Sequence, residues 1–221
     1  MLEDGRDLSN LITVIARFTT KGDPEAFERF FLDHVKYMRA QEGFGAHQAV
    51  RSLDNPAVYV NFGWWLGQEA FQKVVASDQF KAHQGVMHSM LEKADLDLCV
   101  NVARVNAAES AGTRGEFDTP LMNITTYRVT GDGAEFEAAF QRYAAHIREL
   151  HGFGYTDLNR SLRKPGTYAS IGYWWDPAAY PKATGGEQYQ ALTKLAEVNV
   201  EPVKHVAWGR GGEDDTAAET G

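Results

Sequence analysis

Residues 57–65 read Ala-Val-Tyr-Val-Asn-Phe-Gly-Trp-Trp, and residues 166–174 read Gly-Thr-Tyr-Ala-Ser-Ile-Gly-Tyr-Trp. A shift of about 109 residues brings their shared tyrosine, glycine and final tryptophan together, and the same shift aligns residues 43–45 with residues 152–154, both Gly-Phe-Gly. A period this long, present twice, is too long for a solenoid repeat. It predicts two related units of roughly 90 to 100 residues each.

The segment 58–65 has the alternation of a strand, yet both of its faces are largely apolar. One face carries Val58, Val60, Phe62 and Trp64, and the other carries Tyr59, Asn61, Gly63 and Trp65. Helices can cover only one face of a sheet. We therefore expect the other face to pack on the matching sheet of the second unit.

The first unit shows the patterns of a βαββαβ order. We predict strands over 11–19, 44–53, 57–65 and 96–105, and helices over 25–41 and 68–93, the second with a break near Ser77-Asp78. The second unit repeats this order. The predicted fold class is α+β, with two ferredoxin-like repeats forming an intrachain dimeric α+β barrel.

The predicted domain boundaries follow from the same patterns. Residues 1–105 form the first domain, residues 106–119 an aperiodic linker, and residues 120–210 the second domain. Residues 211–221 are rich in acidic residues and glycine, which predicts a disordered acidic tail.

Composition excludes several classes of partner. The formal net charge of -8 argues against nucleic acid, since phosphate binding needs clustered lysine and arginine. No apolar run reaches the roughly 20 residues that span a bilayer, and residues 1–10 lack the basic start of a signal peptide. The single cysteine, Cys99, forms no internal disulfide. We expect a cytoplasmic protein.

Motifs for metals and nucleotides are missing from the sequence. His83 with His88, and His146 with His151, are spaced by five residues, which directs two helical side chains apart. No glycine-rich phosphate loop and no nucleophile elbow is present. We therefore expect no metal and no tightly bound nucleotide.

Asn61 and Trp65 share one face of the same predicted strand. Asn61 either ties down a helix end while Trp65 fills the core, or both residues serve a ligand. The equivalent of Asn61 in the second unit is Ser170, whereas the tryptophan is retained as Trp174. Because the fold forms without asparagine at this position, Asn61 is a candidate for polarising a ligand.

Residues 60–65 (Val-Asn-Phe-Gly-Trp-Trp), Ala70-Phe71 and residues 77–83 (Ser-Asp-Gln-Phe-Lys-Ala-His) resemble the antibiotic biosynthesis monooxygenases, including the anthrone oxygenases of aromatic polyketide pathways. The resemblance implies that Asn61 and Trp65 line a catalytic pocket and support oxygenation without metal or bound flavin. The tandem arrangement also resembles the oxygenases that cleave the B ring of angucyclines. That likeness implies the alternative of reduced flavin supplied by a separate flavin reductase.

The implied substrates are O2 and a polycyclic aromatic compound whose anion readily gives up one electron. Such a reaction needs a dry aromatic pocket with donors where charge develops on oxygen. Six further residues are candidate substrate-binding residues: His34, Tyr37, Met38, Phe80, His83 and Met87. His34 and His83 are both candidate bases, and the sequence does not choose between them.

Two alternatives stay open at this point. One is a haem-degrading monooxygenase of the same fold, although residues 11–20 lack the first-strand asparagine that this likeness implies. The other is a non-catalytic ligand-binding module, since fold alone does not determine function. His146, Tyr155 and Tyr189 either build a second pocket or belong to a scaffold. The oligomeric state, monomer or homodimer, is also open.

Overall fold

The first repeat has the predicted βαββαβ order in the computed structural model, which describes residues 11–212. Its elements are β1 (Ile12–Thr20), α1 (Pro24–Arg39), β2 (Phe44–Ser52), β3 (Val58–Trp65), α2 (Gln68–Val75), α3 (Asp78–Ser89) and β4 (Leu91–Asn106). β3 lies between β1 and β2 and runs antiparallel to both. The prediction of a ferredoxin-like repeat is confirmed.

α1 begins where the sequence supplies a capping residue. Asp23 Oδ1 accepts a hydrogen bond from Glu25 N at 2.9 Å, and Pro24 occupies the first helical position. After the helix the chain turns at Gly43, whose φ of +80° favours glycine. The buried face of α1 includes Phe27, Phe31, Val35 and Met38.

The helical segment predicted over 68–93 divides at Ser77, as expected. Ser77 Oγ accepts a hydrogen bond from Phe80 N at 3.2 Å and so caps the start of α3.

The predicted end of this helical segment at Lys93 is wrong, and so is the predicted start of the last strand at 96. Helix α3 ends at Ser89, and β4 begins at Leu91. Leu91 is buried in the core beneath α1, and Lys21 N donates a hydrogen bond to Met90 O at 3.0 Å. These tertiary contacts hold residues 91–95 in extended form against their helical propensity.

Both faces of β3 are buried, as its sequence predicted. Tyr59 and Trp65 on one face, and Val60 and Phe62 on the other, are each at most 2% exposed. Tyr59 and Trp65 face the helices. The ring centroid of Tyr59 lies 5.0 Å from that of Phe27, and the ring centroid of Trp65 lies 5.5 Å from that of Phe71. Asn61 lies between them on the helix-facing side.

The second repeat has the same order of elements. They are β5 (Leu121–Val129), α4 (Gly133–Ile147), β6 (Phe153–Ser161), β7 (Thr167–Trp174), α5 (Ala179–Gly185), α6 (Glu187–Thr193) and β8 (Ala196–Arg210). Helix α6 has 7 residues, whereas its counterpart α3 has 12. Two short 3₁₀ helices, Glu109–Ala111 and Arg114–Glu116, lie in the segment between the repeats.

The chain forms two compact units that divide β4 and β8. Val100–Lys204 belongs to one unit, and the described parts of Ser9–Cys99 and His205–Gly221 belong to the other. The strand order is β4-β1-β3-β2-β8 in the unit of the first repeat and β8-β5-β7-β6-β4 in the unit of the second. Each unit thus ends its sheet with part of a long strand from the other repeat. Apart from Gly211 and Gly212, the predicted acidic tail lies outside the described residues.

Candidate active site

A pocket opens between the helices and the sheet of the first repeat, which we call the first-repeat pocket. Its cavity volume is about 80 Å³, and all the empty space within the pocket, including solvent-open space, amounts to about 740 Å³. The lining residues are Val14, Ala16, Phe18, Phe31, His34, Val35, Met38, Phe44, Asn61, Gly63, Trp65, Phe71, Phe80, Gln84, Met87, His88, Leu91, Ala94 and Leu96. Most of these side chains are apolar, so a ligand here leaves water for an aromatic and aliphatic environment.

Asn61 supplies an amide side chain to this pocket. It is flanked across the sheet by Ala16 of β1 and Ala49 of β2, whose small side chains leave it room. Its Oδ1 is buried and has no hydrogen-bond partner among residues 11–212. A buried amide oxygen without a well-aligned partner costs roughly 1 to 3 kcal/mol, although the side chain of His47 lies close enough to interact with this amide.

Trp65 forms the aromatic wall beside Asn61. Its ring packs edge-on against Phe44 at 5.0 Å and against Phe71 at 5.5 Å, which fixes the direction of the indole. Within the described part of the chain, no acceptor is hydrogen-bonded to its Nε1. The indole N–H is therefore available to a ligand.

Gly63 separates these two side chains and leaves the space between them empty. A Cβ built on Gly63 would lie 3.6 Å from Trp65 Nε1 and 3.7 Å from Asn61 Nδ2. Two nitrogen donors thus flank one point above a residue that has no side chain. A ligand oxygen in contact with Gly63, and nearer to the two nitrogens than this point, would be able to accept a hydrogen bond from each donor.

His34 brings an imidazole from α1 to the same pocket. Its ring lies 5.8 Å from Phe80, and its Nδ1 is buried without a hydrogen-bond partner in the described chain. Burial, and then the charge of His83, lowers the pKa of His34 to about 4. The imidazole is therefore neutral at pH 7.

Of the eight predicted site residues, the structure brings six to the pocket: Asn61, Trp65, His34, Met38, Phe80 and Met87. The other two, Tyr37 and His83, are not among the lining residues. Their rings stack on each other at 4.8 Å with planes 17° apart, and Tyr37 Oη lies 3.3 Å from Ser77 Oγ. This pair packs α1 against α3 beside the pocket.

Sequence reasoning missed two polar residues at the pocket, Gln84 and His88. Both are exposed overall, so they stand at its mouth rather than in its depth. They follow Phe80 at intervals of four residues, a spacing that places all three on one face of a helix. With Phe80 as a candidate pocket residue, this spacing could have indicated that Gln84 and His88 also lie at the pocket.

His47 was also missed, and it lies directly across from Gly63 on β2. The side chain is 1% exposed, and burial, followed by the charge of Arg39, lowers its pKa to about 4. A contact with Asn61 acts in the opposite direction and favours the protonated ring. His47 thus lies on the same face of the sheet as Gly63 and adjoins Asn61.

Residues 11–212 contain neither a metal-binding cluster nor a membrane-spanning helix. No group of three or more His, Cys, Asp or Glu side chains there is placed to hold a metal ion. Nor is any helix in this range long and apolar enough to cross a membrane.

Comparison with known proteins gives one matching family. The model of the antibiotic biosynthesis monooxygenase family matches residues 11–86 and again residues 120–195, which together exceed half of the chain. Among curated proteins, deoxynogalonate monooxygenase of Streptomyces nogalater is 30% identical over 89 residues, covering 40% of this chain and 75% of that protein.

Solved structures share the whole fold at low identity. An anthrone oxidase-like protein superposes with a TM-score of 0.67 at 17% identity, covering 92% of this chain and 94% of that one. A proposed monooxygenase from Lactobacillus acidophilus NCFM gives a TM-score of 0.72 at 12% identity, covering 92% and 97%. At these identities the likeness shows the tandem fold alone.

Proposed function

Because the chain belongs to the antibiotic biosynthesis monooxygenase family, we propose that it is an oxygenase that uses O2 on a polycyclic aromatic polyketide. The substrate is of the anthrone, hydroquinone or angucyclinone type, and the outcome is oxygenation or oxidative ring cleavage. The observation that carries this proposal is the pair of donors, Asn61 Nδ2 and Trp65 Nε1, facing one point in an apolar pocket. The name of the Streptomyces nogalater relative supports the substrate class.

For an anthrone, the proposed reaction balances without an added reductant. The ring methylene loses a proton, and the resulting enolate gives one electron to O2. The substrate radical and superoxide then combine to a peroxide at the former methylene carbon. Protonation and loss of water leave a new carbonyl. One oxygen atom stays in the quinone, and the other leaves as water with the two methylene hydrogens.

The donors would act where negative charge develops on oxygen. Asn61 Nδ2 and Trp65 Nε1 stabilise the enolate oxygen of the substrate, and each aligned donor contributes about 3 kcal/mol in a water-poor site. His34 is neutral and can accept a proton, but a pKa of about 4 makes it a weak base. Stabilisation of the enolate by the two donors therefore has to carry most of the deprotonation.

The test is oxygen consumption with a panel of anthrones and angucyclinones, with and without a flavin reductase and its reductant. We expect turnover of at least one class, and Asn61→Ala should lower kcat by roughly 10- to 1000-fold. Ser170→Ala is the matched control, since it alters the same strand position in the second repeat. The proposal fails if Asn61→Ala loses thermal stability but keeps normal turnover per folded molecule.

A further inference from the structure

The two repeats place different side chains at one equivalent position. Val14 of β1 pairs with Gly63, and Asn123 of β5 pairs with Gly172 in the same register. The tryptophan two residues after each glycine is also common to both repeats. An apolar residue in one repeat therefore corresponds to an amide in the other.

In the second repeat this amide accepts a hydrogen bond from the indole N–H of the tryptophan. Trp174 Nε1 donates a hydrogen bond to Asn123 Oδ1 at 3.0 Å, and Asn123 Nδ2 donates to Thr125 Oγ1 at 2.9 Å. A Cβ built on Gly172 would lie 2.8 Å from Asn123 Oδ1. The carbonyl oxygen of Asn123 therefore fills the space above Gly172.

The neighbouring polar groups of the second repeat are satisfied as well. The hydroxyl of Tyr127 lies within reach of Ser170, which replaces Asn61, and of Thr125. Tyr127 itself stands where the first repeat has Phe18. These side chains form a closed set of hydrogen bonds that needs no ligand.

The first repeat lacks the acceptors that Asn123 and Thr125 supply in the second. Val14 and Ala16 replace Asn123 and Thr125, and both line the first-repeat pocket. Among described residues the indole N–H of Trp65 is left without an acceptor, and the space above Gly63 is open. The oxygen that the second repeat supplies from its own chain is missing here.

We propose that the space above Gly63 is an oxygen-binding subsite, which a carbonyl or enolate oxygen of a planar substrate fills in the first repeat. In the second repeat Asn123 Oδ1 permanently occupies the equivalent subsite, so that repeat takes no substrate. Val14 is thus a specificity-determining residue that keeps the subsite open. The identity of the substrate rests on the proposed function, whereas the subsite rests on the contacts of the two repeats.

The first arm of the test fills the subsite with an amide oxygen of the protein itself. In Val14→Asn the new amide should accept a hydrogen bond from Trp65, which shifts the indole N–H signal of Trp65 downfield in a ¹⁵N-resolved NMR spectrum. Val14→Leu is the matched control, because leucine has nearly the shape of asparagine but no acceptor. If Val14→Asn leaves the Trp65 indole signal where Val14→Leu leaves it, the proposed subsite is wrong.

The second arm uses the unaltered protein, so it does not depend on the folding of a variant. Under argon, 9-anthrone should shift the indole signal of Trp65 and leave that of Trp174 in place. The matched ligand, 9,10-dihydroanthracene, has the same ring frame without the carbonyl and should not move the Trp65 signal downfield. A response of Trp174 to anthrone, or an equal response of Trp65 to both ligands, overturns the proposal.

Affinity and turnover separate this proposal from the proposed function. Val14→Asn should weaken anthrone binding by more than about tenfold, the loss expected when an internal acceptor takes the place of the ligand oxygen. If anthrone shifts the Trp65 signal but no compound of the panel consumes oxygen, the subsite stands and the oxygenase function fails. If oxygen is consumed and Trp65 does not respond, the subsite is wrong and the oxygenase function stands.

Discussion

The imidazole rings of His34 on α1 and His83 on α3 lie 5.7 Å apart, centroid to centroid. Burial and the charge of His83 both disfavour a proton on His34. His34 lines the pocket, whereas His83 stacks on Tyr37. The contact thus joins the pocket lining to the packing of two helices.

The stability of the protein should fall with acidification through the pKa values of His34. The unfolded chain takes up a proton near pH 6.5, whereas the folded chain does so near pH 4. The contribution of the neutral His34 ring to the free energy of unfolding is therefore complete above about pH 6.5 and is lost as the pH falls towards 4. Between pH 7.5 and 5 this one residue should account for about 2 kcal/mol in the free energy of unfolding.

Urea denaturation at these two pH values measures the effect of His34. His34→Gln should show a smaller loss on acidification, though some loss remains because His47 has a similarly lowered pKa. His151→Gln is the control, since its side chain is 60% exposed. An unchanged pH dependence in His34→Gln would contradict the prediction.

Trp65→Phe and Trp174→Phe should have opposite consequences. Trp65→Phe keeps an aromatic wall and loses only a free donor, so we expect kcat to fall less than in Asn61→Ala and stability to change little. Trp174→Phe leaves Asn123 Oδ1 without its donor and should lower the free energy of unfolding by about 1 to 3 kcal/mol. Steady-state kinetics and chemical denaturation of both variants decide this, and the reverse pattern would place the working pocket in the second repeat.

The glycines of the two repeats provide another matched pair. In Gly63→Ala the new methyl group meets its neighbours at ordinary contact distances, so we expect a stability change below about 1 kcal/mol. The methyl group occupies the space between Asn61 and Trp65, however, and kcat/KM should fall about tenfold or more. Turnover that is unaffected by Gly63→Ala would show that the reacting molecule does not approach this point.

Gly172→Ala should instead act on stability. Its Cβ would lie 2.8 Å from Asn123 Oδ1, so the amide has to move and its hydrogen bond to Trp174 is weakened. We expect a loss of about 1 to 3 kcal/mol without a change in kcat per folded molecule. Comparison of the two alanine variants by denaturation and kinetics makes this prediction independent of the proposed substrate.

Purified protein should contain neither stoichiometric metal nor tightly bound flavin. The described residues offer no cluster of metal ligands, and the first-repeat pocket is mainly apolar. Elemental analysis and an absorption spectrum provide the measurement. A Soret band would favour the haem-degrading alternative, and one equivalent of iron or copper would contradict oxygenation without a metal.

Much of the fold and part of the site could be predicted from local patterns. Asn61 and Trp65 lie four residues apart on one strand, so the alternation of a strand puts them on the same face without any tertiary information. The repeat of about 109 residues likewise predicted two copies of one fold. The end of α3 could not be predicted this way, because Leu91 is extended by virtue of its burial beneath α1.

The sequence by itself determined the two βαββαβ repeats, the family resemblance and the shared face of Asn61 and Trp65, since these follow from periodicity and composition along a single element. Only the tertiary structure decided that a side chain of the second repeat accepts the hydrogen bond of Trp174. Asn123 and Trp174 are 51 residues apart in the chain and meet because β5 and β7 pair in one register. A hydrogen bond between neighbouring strands depends on that register and on the empty space above Gly172, neither of which is expressed in the local pattern of either strand.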